Sequence, residues 1–191
     1  MRKKLTRKFY NRPTLKVVKE LLGKYLVVER DENYVSGKIV ETEAYIGPYD
    51  PASHAYRKVT PRNKIMFGDP GYVYVYFTYG MHHCLNFVTE KKGFPAAVLI
   101  RALEPVDGIE IMKKRRNTND LVNLTNGPAK LCQTLEIDRT LNGADVCSDI
   151  MYVEDRGKKP TKIASSSRMG ITEGKNKKWR FYIENNNFVS K

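Results

Sequence analysis

The stretch from Tyr72 to Val88, YVYVYFTYGMHHCLNFV, restricts the fold more than any other part of the chain. Tyr72, Tyr74, Tyr76 and Thr78 alternate with Val73, Val75 and Phe77, and a period of two gives an extended strand with one tyrosine face and one aliphatic face. Gly80 tolerates left-handed backbone and permits a tight reversal. The strand is therefore expected to turn at Tyr79-Gly80-Met81 and return through about Val88, with Cys84 and Asn86 on one face and Leu85 and Phe87 on the other. A buried core strand accounts for Val73, Val75 and Phe77 but gives no reason for an aromatic at position 79. At a hairpin tip flanked by positive charge, Tyr79 with Met81 beside it has the shape of a wedge that can enter between stacked bases.

A second stretch, IVETEAYIGPYDPASH from Ile39 to His54, is where chemistry is expected. Alternation puts Glu41, Glu43 and Tyr45 on one strand face, with same-face neighbours roughly 6 to 7 Å apart. Gly47-Pro48-Tyr49-Asp50-Pro51 breaks the strand, and a turn of this kind can fold His54 back toward Glu43 and Tyr45. Taken alone, a Glu on an edge strand and a His in a loop are more often simply solvated. The pocket reading needs support from the rest of the chain.

That chain reads as follows. Asn11-Arg12-Pro13 predicts a helix through about Leu22, ended by Gly23. Residues 24–30 and 34–46 form a predicted hairpin around Asp31-Glu32-Asn33, a helix start is placed near residues 60–63, and 66–71 is a turn. Residues 96–103 form a strong strand in which Arg101 interrupts an apolar face; a buried Arg is costly unless it meets a carboxylate or phosphate. Helices are expected from Glu104 to about Arg116 and from Gly127 to about Leu135, and short strands near 150–154, 162–164 and 179–184. No repeat or low-complexity segment divides the chain. The fold class is mixed α/β (α+β): a single compact domain over residues 9–191, preceded by a loose basic arm over residues 1–8.

The charge balance suggests the partner. Lys and Arg number 34 against 21 Asp and Glu, for a net charge of +13, and the excess clusters at residues 2–8, 113–116, 158–159 and 175–180. Such clusters suit a polyanion, and nucleic acid leads because 12 tyrosines supply rings for stacking as well. No apolar run reaches the ~18 residues of a membrane span, and no signal-peptide pattern is found, so the protein is expected to stay where it is made. Cys84, Cys132 and Cys147 are odd in number and lack a CxxC pair, which predicts reduced thiols. His82-His83-Cys84 cannot chelate one ion, because adjacent strand residues point to opposite faces; no metal is expected.

The blocks IVETEAYIGPYDPASH, TPRNKIMFG, GYVYVYFTYGMHHCLN, VLIRALEP and NGPAKLCQTL, in that order, resemble the alkyladenine DNA glycosylase family, also called methylpurine or 3-methyladenine DNA glycosylase, of the mammalian and Bacillus type. The likeness runs from about Arg7 to Phe188, dense to Leu135 and thinner after it, where SSRMGI and RFYI echo the family. It implies that Glu43 activates the attacking water and that Arg101 helps hold that water. It likewise implies that Tyr45, His54 and Tyr76 line the base pocket, that Asn86 crowds out the 2-amino group of normal guanine, and that Tyr79 intercalates into the minor groove. The fold it implies has a curved antiparallel sheet, flanking helices and a protruding hairpin.

The implied activity is monofunctional excision of alkylated or deaminated purines from double-stranded DNA by a monomer without cofactor, cytoplasmic in a bacterium or nuclear in a eukaryote. A non-catalytic nucleic-acid-binding module on the same basic face is the alternative, and a hydrolase of free nucleosides is disfavoured by the charge. Arg101 opposite Glu43 is expected to keep that carboxylate ionised, whereas Glu41 needs no partner to be explained. The chain has the look of a short bacterial form without a long N-terminal extension, and its loop before Asn126 is shorter than in mammalian relatives. No site residue is assigned beyond Leu135.

Overall fold

The computed structural model describes residues 2–30 and 32–190. In chain order the elements are β1 (Lys3–Lys4), α1 (Arg7–Tyr10), α2 (Thr14–Glu20), β2 (Tyr25–Arg30), β3 (Asn33–Ile46), β4 (Val73–Thr78), β5 (His82–Val88), β6 (Ala96–Asp107), α3 (Ile109–Arg116), α4 (Pro128–Thr134), β7 (Met151–Asp155), β8 (Ile163–Ser166) and β9 (Arg180–Ile183). Among the described residues the strands form one nine-stranded sheet. Its main path is β1-β7-β2-β3-β6-β5-β4, every pairing is antiparallel, and the β8–β9 pair joins alongside β3. This is the mixed α/β single domain that the alternation predicts.

The two faces of the sheet have different fates. Val73, Val75, Leu85, Phe87, Val98, Ile100 and Ala44 point into the main core, where they meet Val17, Val18 and Leu21 from the α2 region and Leu131, Cys132 and Leu135 from α4. A smaller apolar cluster lies on the other face, where Tyr74, Val88 and Ala97 pack with Ala55 and Met66 from the long connection between β3 and β4. That connection has no long helix, only short 3-10 turns at Gly47–Tyr49 and Lys64–Phe67. It therefore covers the second face incompletely, and a hollow can persist there.

Several expectations are corrected. The helix predicted from Glu104 begins instead at Ile109, because β6 continues to Asp107 by pairing Glu104, Pro105 and Asp107 with Lys38, Gly37 and Ser36. Pro105 is accommodated beside a register shift, where a missing N–H is tolerated. Gly108, at φ 76°, then makes the sharp exit from strand to helix. The helix start expected at residues 60–63 is a turn that leads into Lys64–Phe67. Instead of a loose arm, Lys3 and Lys4 pair with Asp155 and Glu154 of β7, and Arg7–Tyr10 is helical with Tyr10 fully buried. Of the predicted turn at 31–33, Asp31 lies outside the described residues. Among the described residues, no helix is long and apolar enough to cross a membrane.

Candidate active site

β3 is the frame of the site. Cross-strand partners point to the same face, and the registers Tyr74↔Asn86, Asn86↔Leu99 and Leu99↔Glu43 set these four side chains in a row across β4, β5, β6 and β3. Tyr45 and Ala97 lie one step along on the same face, as do Tyr76 and Cys84. The tyrosine face that is legible as alternation in residues 72–78 and the Glu-Tyr face of residues 41–45 are thus one continuous surface. Above it lies a cavity of about 540 Å³, walled by Tyr45, His54, Tyr74, Tyr76, Asn86 and Arg101, with Tyr79 at its edge.

Glu43 is fully buried one layer behind this wall. Its carboxylate accepts from the Tyr45 hydroxyl at 2.8 Å and from the Met169 backbone N–H at 2.9 Å, and Arg101 Nε stands 3.5 Å away. All three of those neighbours line the cavity. Burial pushes the Glu43 pKa above the ordinary glutamate value, against the lowering effect of Arg101, the Met169 N–H and Tyr45. Arg101, expected to keep this carboxylate ionised, does lower the pKa, but desolvation outweighs it and the net shift is upward. Arg101 is also closer to Glu41, at 3.0 Å. The Tyr45 phenol is driven far above its usual pKa by burial and by Glu43, so it remains an O–H donor.

The aromatic wall is interlocked. His54 Nδ1 lies 2.9 Å from the Tyr74 hydroxyl, and the His54 ring meets Tyr76 edge-on with centroids 4.6 Å apart. The packed part of the imidazole is desolvated and the Arg62 guanidinium is nearby, so its pKa is held below the ordinary histidine value. At neutral pH His54 is uncharged. Arg62 itself lies 5.1 Å from the Tyr76 ring centroid. Asn86 donates from its amide to the carbonyls of Tyr74 at 3.1 Å and Cys84 at 3.3 Å, which fixes the side chain against the floor.

The hairpin tip is a tight turn with Tyr79 at φ 52° and Gly80 at φ 69°. Both left-handed centres match the twist of the flanking strands, and they hold Tyr79 83% exposed and Met81 69% exposed. Tyr79 borders the aromatic cavity. Met81 lies on the other flank, against a separate hollow lined by His82, His83 and Gln133, so it does not share the cavity with the remaining predicted residues.

Residues beyond Leu135, to which no site role is given above, supply a whole wall. The segment Met169 to Glu173 lines the cavity, and Arg168 anchors it. Arg168 and Asp50 form a bidentate ion pair with both side chains fully buried, and the guanidinium is stacked 4.6 Å from the Tyr45 ring and 5.4 Å from Trp179. A lone Arg in a Ser-rich stretch carries no periodic signal. The sequence hint was the SSRMGI block itself.

Fold and cavity together define a single-domain mixed α/β protein with a concave aromatic site beside a buried carboxylate. Residues 8–187 match the family model described as Methylpurine-DNA glycosylase (MPG). Proteins named "Putative 3-methyladenine DNA glycosylase" from Alkaliphilus oremlandii and Methanocella arvoryzae are 51% and 52% identical to the chain; the alignments cover 98% of it in both cases and 99% and 96% of those relatives. A relative of the same name from Desulfitobacterium hafniense is 48% identical, over 98% of each chain. The chain belongs to the methylpurine-DNA glycosylase family. It is accordingly a DNA glycosylase, a hydrolase of N-glycosyl bonds that binds DNA and serves its repair.

Proposed function

We propose that the protein swings alkylated or deaminated purines out of duplex DNA into the aromatic cavity and hydrolyses their N-glycosidic bond with a water activated by Glu43. The observation that carries this reading is the placement of Glu43: a buried carboxylate, its pKa raised, touching three groups of the cavity wall. Water approaching from the cavity side gives its proton to Glu43 as its oxygen bonds to C1′, while the C1′–N bond electrons leave with the base. The carboxylate also stabilises the oxocarbenium character of the sugar, and Arg101 orients the water. No amine nucleophile is needed, so the strand is left uncut.

The substrate class follows from the walls. The relatives are named for 3-methyladenine, and a cationic purine such as this or 7-methylguanine gains about 0.5–2 kcal/mol over rings such as Tyr45 and Tyr76. His54 is neutral and does not repel such a cation. A cationic base also departs as a neutral molecule, so it is a better leaving group than a normal purine. Neutral lesions such as 1,N6-ethenoadenine and hypoxanthine enter the same cavity, and Asn86, held at its fixed position, crowds the 2-amino group of guanine. Flipping costs a few kcal/mol, and Tyr79 with Met81 fills the gap the base leaves.

Two experiments test this. Incubation with methylated duplex DNA should release free methylated base and leave abasic sites without strand breaks. The rate under subsaturating conditions should fall steeply from low to physiological salt, since phosphate contacts release counterions. Equal activity on free nucleoside, insensitive to salt, would contradict the duplex reading. In the second, Tyr79→Ser should weaken binding to lesion duplex by roughly tenfold, as ~1–3 kcal/mol of stacking is lost. It should also lower the flipped fraction reported by a fluorescent base analogue; parental flipping in that variant would remove Tyr79 from the role of plug.

A further inference from the structure

The position expected to need no partner, Glu41, is the most heavily bonded carboxylate on the site face. It is fully buried, and its oxygens accept from Arg101 Nε at 3.0 Å, Arg180 Nε at 2.6 Å, the Ser190 hydroxyl at 2.8 Å and the Ser190 backbone N–H at 2.7 Å. These partners come from β6, β9 and the last described residue of the chain. Arg101 also donates to the Ser190 hydroxyl at 3.3 Å and lies 3.4 Å from Met169 Sδ, and Arg180 donates to the Ser190 carbonyl at 3.2 Å. Arg101 and Glu41 meet at a register shift, where β3 and β6 fall out of step between Glu41 and Thr42. The bulge is what allows one guanidinium to reach both acids of the same strand.

We infer that Glu41 is a positioning residue: it takes the larger share of the Arg101 guanidinium, and so sets how much of that cation reaches Glu43. The inference rests on the reading of Glu43 as the water-activating group. The sharing is visible in the distances, 3.0 Å to Glu41 against 3.5 Å to Glu43. Arg180 and Ser190 neutralise and fix Glu41, so that it holds Arg101 without claiming it entirely. Glu43 is faced by Arg101 and Cys84 from across the sheet, by Glu41 and Tyr45 on its own strand, by Arg180 from the paired β9, and by the Met169 N–H from the cavity-wall segment. Among these the Glu41 charge opposes ionisation of Glu43, as a like charge must.

The test is the acid limb of the pH–rate profile, measured as single-turnover base release from methylated duplex DNA. In Glu41→Gln the repulsion is gone and Arg101 turns toward Glu43, so the limb should move to lower pH by on the order of one unit. In Arg180→Gln, Glu41 loses a neutralising partner and draws Arg101 further from Glu43, so the limb should move to higher pH. The opposite signs matter: a merely structural Glu41 would lower the plateau in both variants and leave the limb in place, and that result overturns the inference. If Glu41→Gln does not fold, Glu41→Asp takes its place: the shorter acid keeps the charge but loosens its hold on Arg101, so the limb should again move to lower pH, and a limb left in place overturns the inference. A parent whose acid limb survives Glu43→Gln overturns both this inference and the reading it rests on. A limb abolished by Glu43→Gln but unmoved in the two other variants overturns only this one.

Discussion

Glu43→Gln should reduce single-turnover release of methylated base by a factor of about 10² to 10⁴, the usual contribution of a positioned general base. Affinity for lesion duplex should stay within a few fold of the parent. The substitution keeps the shape of the side chain, so Tyr45, Met169 and the aromatic cavity retain a partner. What it removes is an acceptor for the water proton and a negative charge beside the developing cation at C1′. The pH dependence gives a second signature. As pH falls through the raised pKa of Glu43 the carboxylate takes up a proton and stops working as a base, so the parental rate should decline in acid, beginning above the ordinary glutamate range. The residual rate of the variant should lack that limb.

Stability separates chemistry from damage in that experiment. The folded-state pKa of Glu43 lies above its unfolded value, so the folded chain binds this proton more tightly. The stability associated with it is present below the unfolded value and is lost as pH rises through the folded one. Once pH exceeds that folded-state value the parent carries the cost of a buried charge, and at no pH does the neutral amide carry it. Glu43→Gln should therefore melt no lower than the parent at neutral pH. A rate within tenfold of the parent, at equal melting temperature, would leave Glu43 without a catalytic role.

The parts legible in the sequence were those written in local periodicity. Alternation over Tyr72–Thr78 and Glu41–Tyr45 gives the strands and which residues share a face, and Tyr79-Gly80 marks the hairpin turn. These need only the backbone geometry of a strand. What alternation cannot give is which strand lies beside which, and the row from Tyr74 to Glu43 depends on β6 separating β5 from β3. The Glu41–Arg101 pair was hidden for a related reason: it sits at a bulge, where the pleat that period-two reasoning assumes is interrupted. Glu104-Pro105 resembled a helix start because Pro suits that place, yet cross-strand pairing outweighed the local signal. The wall from Arg168 to Glu173 has no periodic pattern at all. It is held by a partner 118 positions away, and only the folded chain brings the two together.

That partner gives the largest stability effect expected. Asp50→Ala should destabilise the protein by about 3–5 kcal/mol, because it leaves the Arg168 guanidinium buried without its counter-charge. For a chain of this size the loss corresponds to a fall in melting temperature on the order of 10 °C. The remaining acceptor for Arg168 is the Ala44 carbonyl at 2.9 Å, and one neutral acceptor does not replace a bidentate carboxylate. The double variant Asp50→Leu with Arg168→Met should recover much of this loss, since an apolar pair of similar volume needs no desolvation of charge. It should not recover activity to the same extent. Arg168 stacks on Tyr45, the ring that donates to Glu43, and precedes Met169, whose N–H does the same, so a wall that is stable but no longer tethered by charge should bind the damaged base less tightly. Thermal melts of the parent, the single and the double variants, with base release measured on each, check both halves. A single variant as stable as the double would mean that water or a shifted side chain solvates Arg168, and that the ion pair is not what holds the wall.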